Sequence, residues 1–333
     1  MTDGAGGDTS VQPRDNLVIP FQIEGLGIRG RIVRLGTLAT DILLRHNHPE
    51  PVSLLLAEAL TLTALLGTAL KFDGKFTLQT SGDGPISMIV ADYETPGSMR
   101  AYAHMDRERV ASLIEQGRTG PLDLMGKGYL AMTIDQGPDM DRYQGIVELK
   151  PGGLIESAHE YFASSEQIAT SIRLAVGPIY QRKEDGRSEA SWRTGAIMIQ
   201  HVAREGGLVG FREADDQRPP TDEEENWRRA ELLLATVEDH ELLDPDLAPE
   251  RLLYRLYHED GVRAFPSTSL KFKCRCSHDR MESILKSFPR EDIEDMVQDG
   301  VITATCEFCN QVYILAPEDI LAGGRKTSGD LKE

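Results

Sequence analysis

All four cysteines of this 333-residue chain fall near its C-terminal end, as Cys274-x-Cys276 and Cys306-x-x-Cys309 with 29 residues between the pairs. Zn²⁺ takes four ligands in a tetrahedron and favours thiolates, and two close pairs joined by a folded excursion supply them. The sequence therefore predicts one zinc ion held by Cys274, Cys276, Cys306 and Cys309. No cysteine is left over, which is what a four-thiolate site needs. His278, two residues beyond Cys276, has the chemistry of a substitute ligand, but it reads better as a surface histidine on the first turn of a helix.

By spacing alone, such a site is usually a structural staple for a module of about sixty residues with a core too small to fold unaided. Two features add reactivity. The sulfurs of a Cys-x-Cys pair lie close enough to join in a small, strained ring. Metal-bound thiols are also held as thiolates, the form that oxidants attack.

Other patterns carry less. Gly25-Leu-Gly27-Ile-Arg-Gly30 matches a dinucleotide fingerprint and follows a strand. That fingerprint needs a helix to start at the glycines, so that backbone amides meet a pyrophosphate, and the β-like Arg31-Ile-Val-Arg-Leu follows instead. There is no G-x-x-x-x-G-K-[ST] loop for ATP. His46 and His48 have ligand spacing, but polar capping beside Pro49 is the commoner role. No nucleophile motif or acid–base constellation stands out, so the chain reads as a non-enzyme.

With 54 acidic against 36 basic residues, the net charge is −18. A duplex or an anionic membrane would repel that surface, so neither nucleic acid nor membrane is an expected partner. The most apolar stretch, Val52 to Leu70, is long enough to span a bilayer. Glu58, four Ser or Thr interruptions and the lack of basic flanks mark it instead as a buried core helix. The acidic, apolar-poor N-terminus is not a targeting segment. The expected location is the cytoplasm, where thiols stay reduced and metal binding outweighs disulfides.

These features need a fold to position them. Alternating runs at 17–24 and 29–36 read as strands, followed by helices near 38–46 and 52–70. KFTLQTSG, ISMIVADY, SMRAYAHM, GYLAMTIDQG and YQGIVELK suggest a meandering antiparallel sheet with turns such as Asp83-Gly84-Pro85. Residues 155–162 and 166–176 read as helices, and GPIYQR with TGAIMIQHV as a last hairpin. The fold class is α+β: a mainly antiparallel sheet domain with helices, a helical linker and a small C-terminal zinc module.

The expected domains are a disordered tail over 1–15 and a core domain over 16–212. An acidic boundary and helical linker follow over 213–265, then a zinc module over 266–320 and a tail over 321–333. In the linker, Trp227, Ala230, Leu234 and Val237 mark one amphipathic helix, and Leu252, Leu253, Leu256 and Tyr257 a second. Both are highly charged with narrow apolar stripes, so they should be stable only when docked, and the first domain's sheet is the expected partner. Within the zinc module, 277–288 and 287–300 read as helices, the second capped by Gly300. VITATC and QVYIL read as strands around the second cysteine pair.

Quoted together, FKCRCSHDR and ATCEFCNQVY, with LRHNHPEPV, ALKFDGKFTLQTSGDGPI, YQGIVEL, YFASSEQIAT and RLLYRLYHED, resemble the heat shock protein 33 family of redox-regulated holdase chaperones. The resemblance runs from about Asn16 to Ile320. It implies a cytoplasmic protein that is inactive when reduced and zinc-bound. Peroxide or hypochlorite together with unfolding stress would activate it, joining Cys274 to Cys276 and Cys306 to Cys309 and releasing zinc. It also implies an oxidised homodimer that holds unfolding client proteins without ATP. Two alternatives remain at this level. Cys306-x-x-Cys309 suggests a thiol–disulfide oxidoreductase but lacks a thioredoxin-like βαβ setting. A zinc-ribbon nucleic-acid binder would use Lys271, Lys273 and Arg275, against the overall charge.

Overall fold

The structure is a computed structural model that describes residues 15–70, 72–137, 140–182, 188–201 and 221–321. The expected tails, apart from Asp15 and Leu321, and the acidic stretch up to residue 220 lie outside the described residues. The chain forms two compact units, one up to Phe272 and one from Lys273 onward, the second also taking in residues 45–47.

The first unit begins with the hairpin β1 (Leu17–Ile23) and β2 (Ile28–Leu35), then α1 (Thr37–Leu43) and the long α2 (Glu50–Ala69). Strands β3 (Lys75–Gly82), β4 (Ile86–Glu94) and β5 (Ser98–Met105) form a meander. Helices α3 (Arg107–Glu115) and α4 (Pro121–Met125) lead into β6 (Gly128–Asp135), β7 (Tyr143–Glu148) and α5 (Leu154–Tyr161). A long hairpin of β8 (Thr170–Arg182) and β9 (Ser188–His201) follows. After it come α6 (Asp222–Ala235), α7 (Asp239–Leu243), α8 (Pro249–Tyr257) and three short strands, β10 (Val262–Ala264), β11 (Thr268–Ser269) and β12 (Lys271–Phe272).

The five strands expected in one antiparallel sheet do share one, and the first unit's other strands, β12 apart, build a second. One runs β10-β1-β2-β9-β8, with β11 also on β1, and the other runs β12-β5-β4-β3-β6-β7. Apolar residues on both sides of β1, β2 and β9 explain the first. Val18, Val33, Leu35, Ala196 and Met198 pack toward α2. Their alternates Ile19, Phe21, Ile23, Ile32, Ile197 and Ile199 pack against α6, α7 and α8. Successive side chains of a strand face opposite ways, so a sheet covered on both sides reads as a nearly continuous apolar run. The linker helices do pack on the first unit's sheet, as their apolar stripes predict.

α2 packs against both sheets, its side chains interleaving with Phe76, Leu78, Ile89, Ala91 and Leu130 of the second. Its polar interruptions are satisfied within the core. Thr61 Oγ1 donates to the Ala57 carbonyl at 2.7 Å and meets Thr194 Oγ1 at 2.7 Å, and Thr63 Oγ1 donates to Ala59. Glu58 accepts the backbone N–H of Ile155 at 3.1 Å, at the start of α5. Although long and apolar enough for a bilayer, the helix is 78% buried in its most apolar window, and so is a core element.

One predicted helix is wrong. Residues 166–176 contain only the end of a π-helical turn, Phe162–Glu166, and from Thr170 the chain is β8. Pairing with β9 over the whole strand, from Thr170↔Gln200 to Arg182↔Ser188, overrides the local helical pattern.

The second unit holds α9 (His278–Leu285), α10 (Arg290–Asp295), β13 (Val297–Gln298), β14 (Val301–Thr305), β15 (Val312–Leu315) and α11 (Pro317–Leu321). Its buried apolar core is Leu285, Ile293, Ile302, Leu315 and Ile320. Gly300 does not cap a helix. α10 ends at Asp295, and Asp299 (φ 51°) with Gly300 (φ 81°) forms the two-residue turn between β13 and β14. Positive φ at both positions is what a tight hairpin requires, and Asp-Gly is its sequence signal.

Candidate metal centre

Cys274 and Cys276 lie on the segment entering α9, while Cys306 and Cys309 lie in the turn between β14 and β15. The turn is closed by the Cys306 N–H to the Gln311 carbonyl at 2.9 Å and the Asn310 N–H to the Cys306 carbonyl at 2.8 Å. Asn310 takes φ 59°, a left-handed position that asparagine tolerates better than most residues.

The four sulfurs all lie within 4.8 Å of one another. Cys274 Sγ is 3.6 Å from Cys306 Sγ, and Cys276 Sγ is 3.3 Å from Cys309 Sγ. No disulfide joins them. A tetrahedron with Zn–S bonds of about 2.3 Å has sulfurs about 3.8 Å apart, so the set fits zinc with small adjustments. Cys306 is buried and the other three are half-buried.

Hydrogen-bond donors surround the sulfurs. The Cys276 amide points at the Cys274 sulfur, the Phe308 and Cys309 amides at Cys306, and the Gln311 amide at Cys309. The Tyr313 hydroxyl, on β15, donates to Cys276 Sγ at 3.1 Å. Burial raises the Cys274 thiol, but the Cys276 amide and the neighbouring thiols outweigh it and bring it down to about 7. Burial pushes Cys306 and Cys309 up. The Tyr313 hydroxyl is pushed up to about 12, chiefly by its bond to Cys276. Four crowded sulfurs thus resist ionising together, and a divalent cation among them reverses that balance.

The other sequence candidates fall elsewhere. His278 is exposed at the start of α9, with Nδ1 4.0 Å from Glu282, and is outside the sulfur cluster. His46 and His48 lie between α1 and α2, and neither joins the sulfurs. Gly25 and Gly27 form a 3₁₀ turn that leads directly into strand β2. A Cβ on Gly30 would lie 2.2 Å from the Phe21 ring, so that glycine serves cross-strand packing. Tyr313 is the contributor that motif reading missed. Its only sequence signal is its place on the strand returning from Cys309.

A two-sheet α+β body followed by a small unit with four converging thiols defines a class, a protein with a cysteine-based metal or redox centre in a unit of its own. A family model described as Hsp33 protein matches residues 16–316. The 33 kDa chaperonin of Caulobacter vibrioides is 44% identical over 319 residues, covering 95% of this chain and 99% of its own length. That of Photobacterium profundum is 33% identical, covering 92% and 94%. Among solved structures, the 33 kDa chaperonin (heat shock protein 33 homolog) of Thermotoga maritima superposes with a TM-score of 0.68. At 23% identity it covers 92% of this chain and 96% of its own, and it supports the fold. The chain belongs to the Hsp33 family. Family membership and chaperonin-named relatives support a redox-regulated chaperone function, and the four-cysteine cluster fits zinc binding.

Proposed function

We propose that the protein is an ATP-independent holdase of the cytoplasm, switched on by oxidation of one zinc-bound set of four cysteines. The observation that carries this reading is the convergence of four sulfurs in a unit whose apolar core, among the described residues, has five members. Zinc, one per chain, would be held by Cys274, Cys276, Cys306 and Cys309, and would supply the cross-link that so small a core lacks.

The chemistry of the switch is a two-electron oxidation of each pair. One thiolate attacks a peroxide oxygen, keeps an OH group and releases hydroxide. The neighbouring thiolate then displaces that OH as a second hydroxide, and an S–S bond forms. Cys274 pairs with Cys276 and Cys306 with Cys309. Disulfide sulfurs no longer act as anionic ligands, so zinc is not retained and the module over 266–320 loses its fold. The linker helices α6 to α8 then leave the sheet and uncover Ile19, Phe21, Ile23, Ile28 and Ile32, an apolar face on which unfolding clients can be held. The oxidised form acts as a homodimer. Neither nucleic acid nor membrane is a partner, and no reaction is catalysed on the client.

The test is aggregation of a heat-denatured client with reduced, zinc-loaded protein and with peroxide-treated protein. Suppression by the oxidised form alone is expected. Equal suppression by both forms would overturn the switch.

A further inference from the structure

Cys306 and Cys309 take hydrogen bonds from backbone amides of the turn and Cys274 from the Cys276 amide, whereas Cys276 takes one from a side chain, Tyr313 Oη at 3.1 Å. We propose that Tyr313 is a positioning residue that guards Cys276 and so sets the oxidant threshold of the centre. This rests on the zinc-thiolate reading above.

A hydrogen bond to a thiolate draws electron density from the sulfur. It stabilises the anion as a ligand and weakens it as a nucleophile toward peroxide. Cys276 is one half of a proposed disulfide pair, so its reactivity bears on whether that pair closes. The geometry favours a steady bond. β15 pairs with β14 from Ile302↔Leu315 to Thr305↔Val312, which places Tyr313 opposite Ala304 and fixes its reach back to the sulfur. The tyrosine ring is half-buried against the module's small core, so the hydroxyl is held in place without being sealed from solvent.

The oxidation that Tyr313 restrains is the attack of the Cys276 thiolate on a peroxide. Sulfur gains OH, hydroxide leaves, and the Cys274 thiolate then closes the S–S bond with loss of a second hydroxide. Two thiolates are oxidised and one peroxide is reduced. The loss of a hydrogen bond to a charged sulfur corresponds to about tenfold in rate.

The experiment uses the full-length, zinc-loaded protein and Tyr313→Phe, which removes only the hydroxyl. Zinc release by hydrogen peroxide is followed with a chromogenic zinc indicator, and the thiolate-to-metal charge-transfer band is recorded after cobalt substitution. The expected result is release about tenfold faster than wild type, with the band moved to lower energy. A structural role alone would not move that band while the module stays folded. Ile314→Thr, an exposed neighbour on the same strand, should match wild type in both readouts. Tyr313→Phe release as slow as wild type, or an unmoved band, overturns the inference. If the wild type itself takes up no stoichiometric zinc, the zinc reading fails instead, and the two failures are told apart.

Discussion

The two units solve the same problem by different means. In the first, apolar clusters cover both faces of one sheet, and α2 is buried along nearly its whole length. In the second, among the described residues, a core of five buried apolar side chains must organise three short helices and three short strands. At roughly 1.5–3 kcal/mol per fully buried large side chain, five residues do not offset the ordering entropy of such a segment. The first unit is held by burial, and the zinc proposed for the second would supply what its small core lacks. Chemistry at sulfur can therefore unfold one unit and leave the other standing, which is the physical requirement for a switch.

A subtler contrast lies within the first unit. Both sides of the sheet carry apolar packing, but the linker side adds several arginines rising from the sheet, where the α2 side has Arg31 donating to the Thr68 carbonyl at 3.1 Å. Arg34, fully buried, donates to the backbone carbonyls of Asp244 and of Glu241, the latter at 2.7 Å. Burial, with Arg193 nearby, brings it down to about 10 against the pull of Asp15, Asp244 and Glu250. Arg193 donates to the Leu243 carbonyl at 2.8 Å, and Arg173 to that of Val237 at 3.1 Å. Gly195 lets α7 come this close, because a Cβ there would lie 2.3 Å from the Leu242 carbonyl oxygen. A docked layer that joins one apolar cluster to a set of directional bonds and one tight backbone approach can detach as a piece.

The largest predicted effect removes the bridge. Chelating the metal from reduced protein, or replacing Cys306 with serine, should cost the second unit on the order of 10 kcal/mol, which is its whole stability. Hydrogen exchange should become fast across 277–320 and stay slow in β1 to β9. Fast exchange in β1 to β9 as well would erase the distinction between the units.

A smaller effect should separate linker docking from the metal. Trp227, which is 7% exposed, anchors α6 in the linker-side cluster. Trp227→Ala should cost about 4 kcal/mol locally, within the range for deleting a buried aromatic. Exchange over 222–257 should quicken while zinc stays bound, and client aggregation should be partly suppressed without oxidant. Unchanged exchange there would mean that the helices do not depend on their apolar stripe.

Much of this was legible in the sequence because local pattern and final structure agree. The cysteine spacing picked out four residues whose sulfurs converge, and the spacing of Trp227, Ala230, Leu234 and Val237 marked a docked face. The Thr-interrupted apolar run read correctly as core. Errors arose where distant partners decide. Nothing local in 170–176 reveals thirteen residues of pairing with β9, and the run through β1 and β2 hides that its two sides meet different layers. Nothing local around Arg34 shows that the Glu241 carbonyl of α7 comes to it. Tyr313 was invisible because a hydroxyl–sulfur bond has no spacing rule.

The smallest effect contrasts the two units through pH. Glu58 lies in α2 against the start of α5, and burial raises its carboxyl to about 7, opposed by the N–H groups of Ile155 and Leu154. Its folded value lies above the unfolded one, so its stabilising contribution is complete below about 4.5 and lost as pH rises through 7. In that window the native state keeps a proton that the unfolded chain has released, so stability falls by about 1.4 kcal/mol per pH unit, about 3 kcal/mol in all. His159 on α5, lowered mainly by burial, acts with the opposite sign, so the comparison must be with Glu58→Gln rather than with wild type alone. Urea titrations of the first unit at pH 5, 6, 7 and 8 should show Glu58→Gln gaining on wild type at each step up, with equal slopes sinking the assignment. The metal centre should respond the other way, because protonating thiolates expels the ion as pH falls. Mild acid would then loosen the second unit while Glu58 tightens the first.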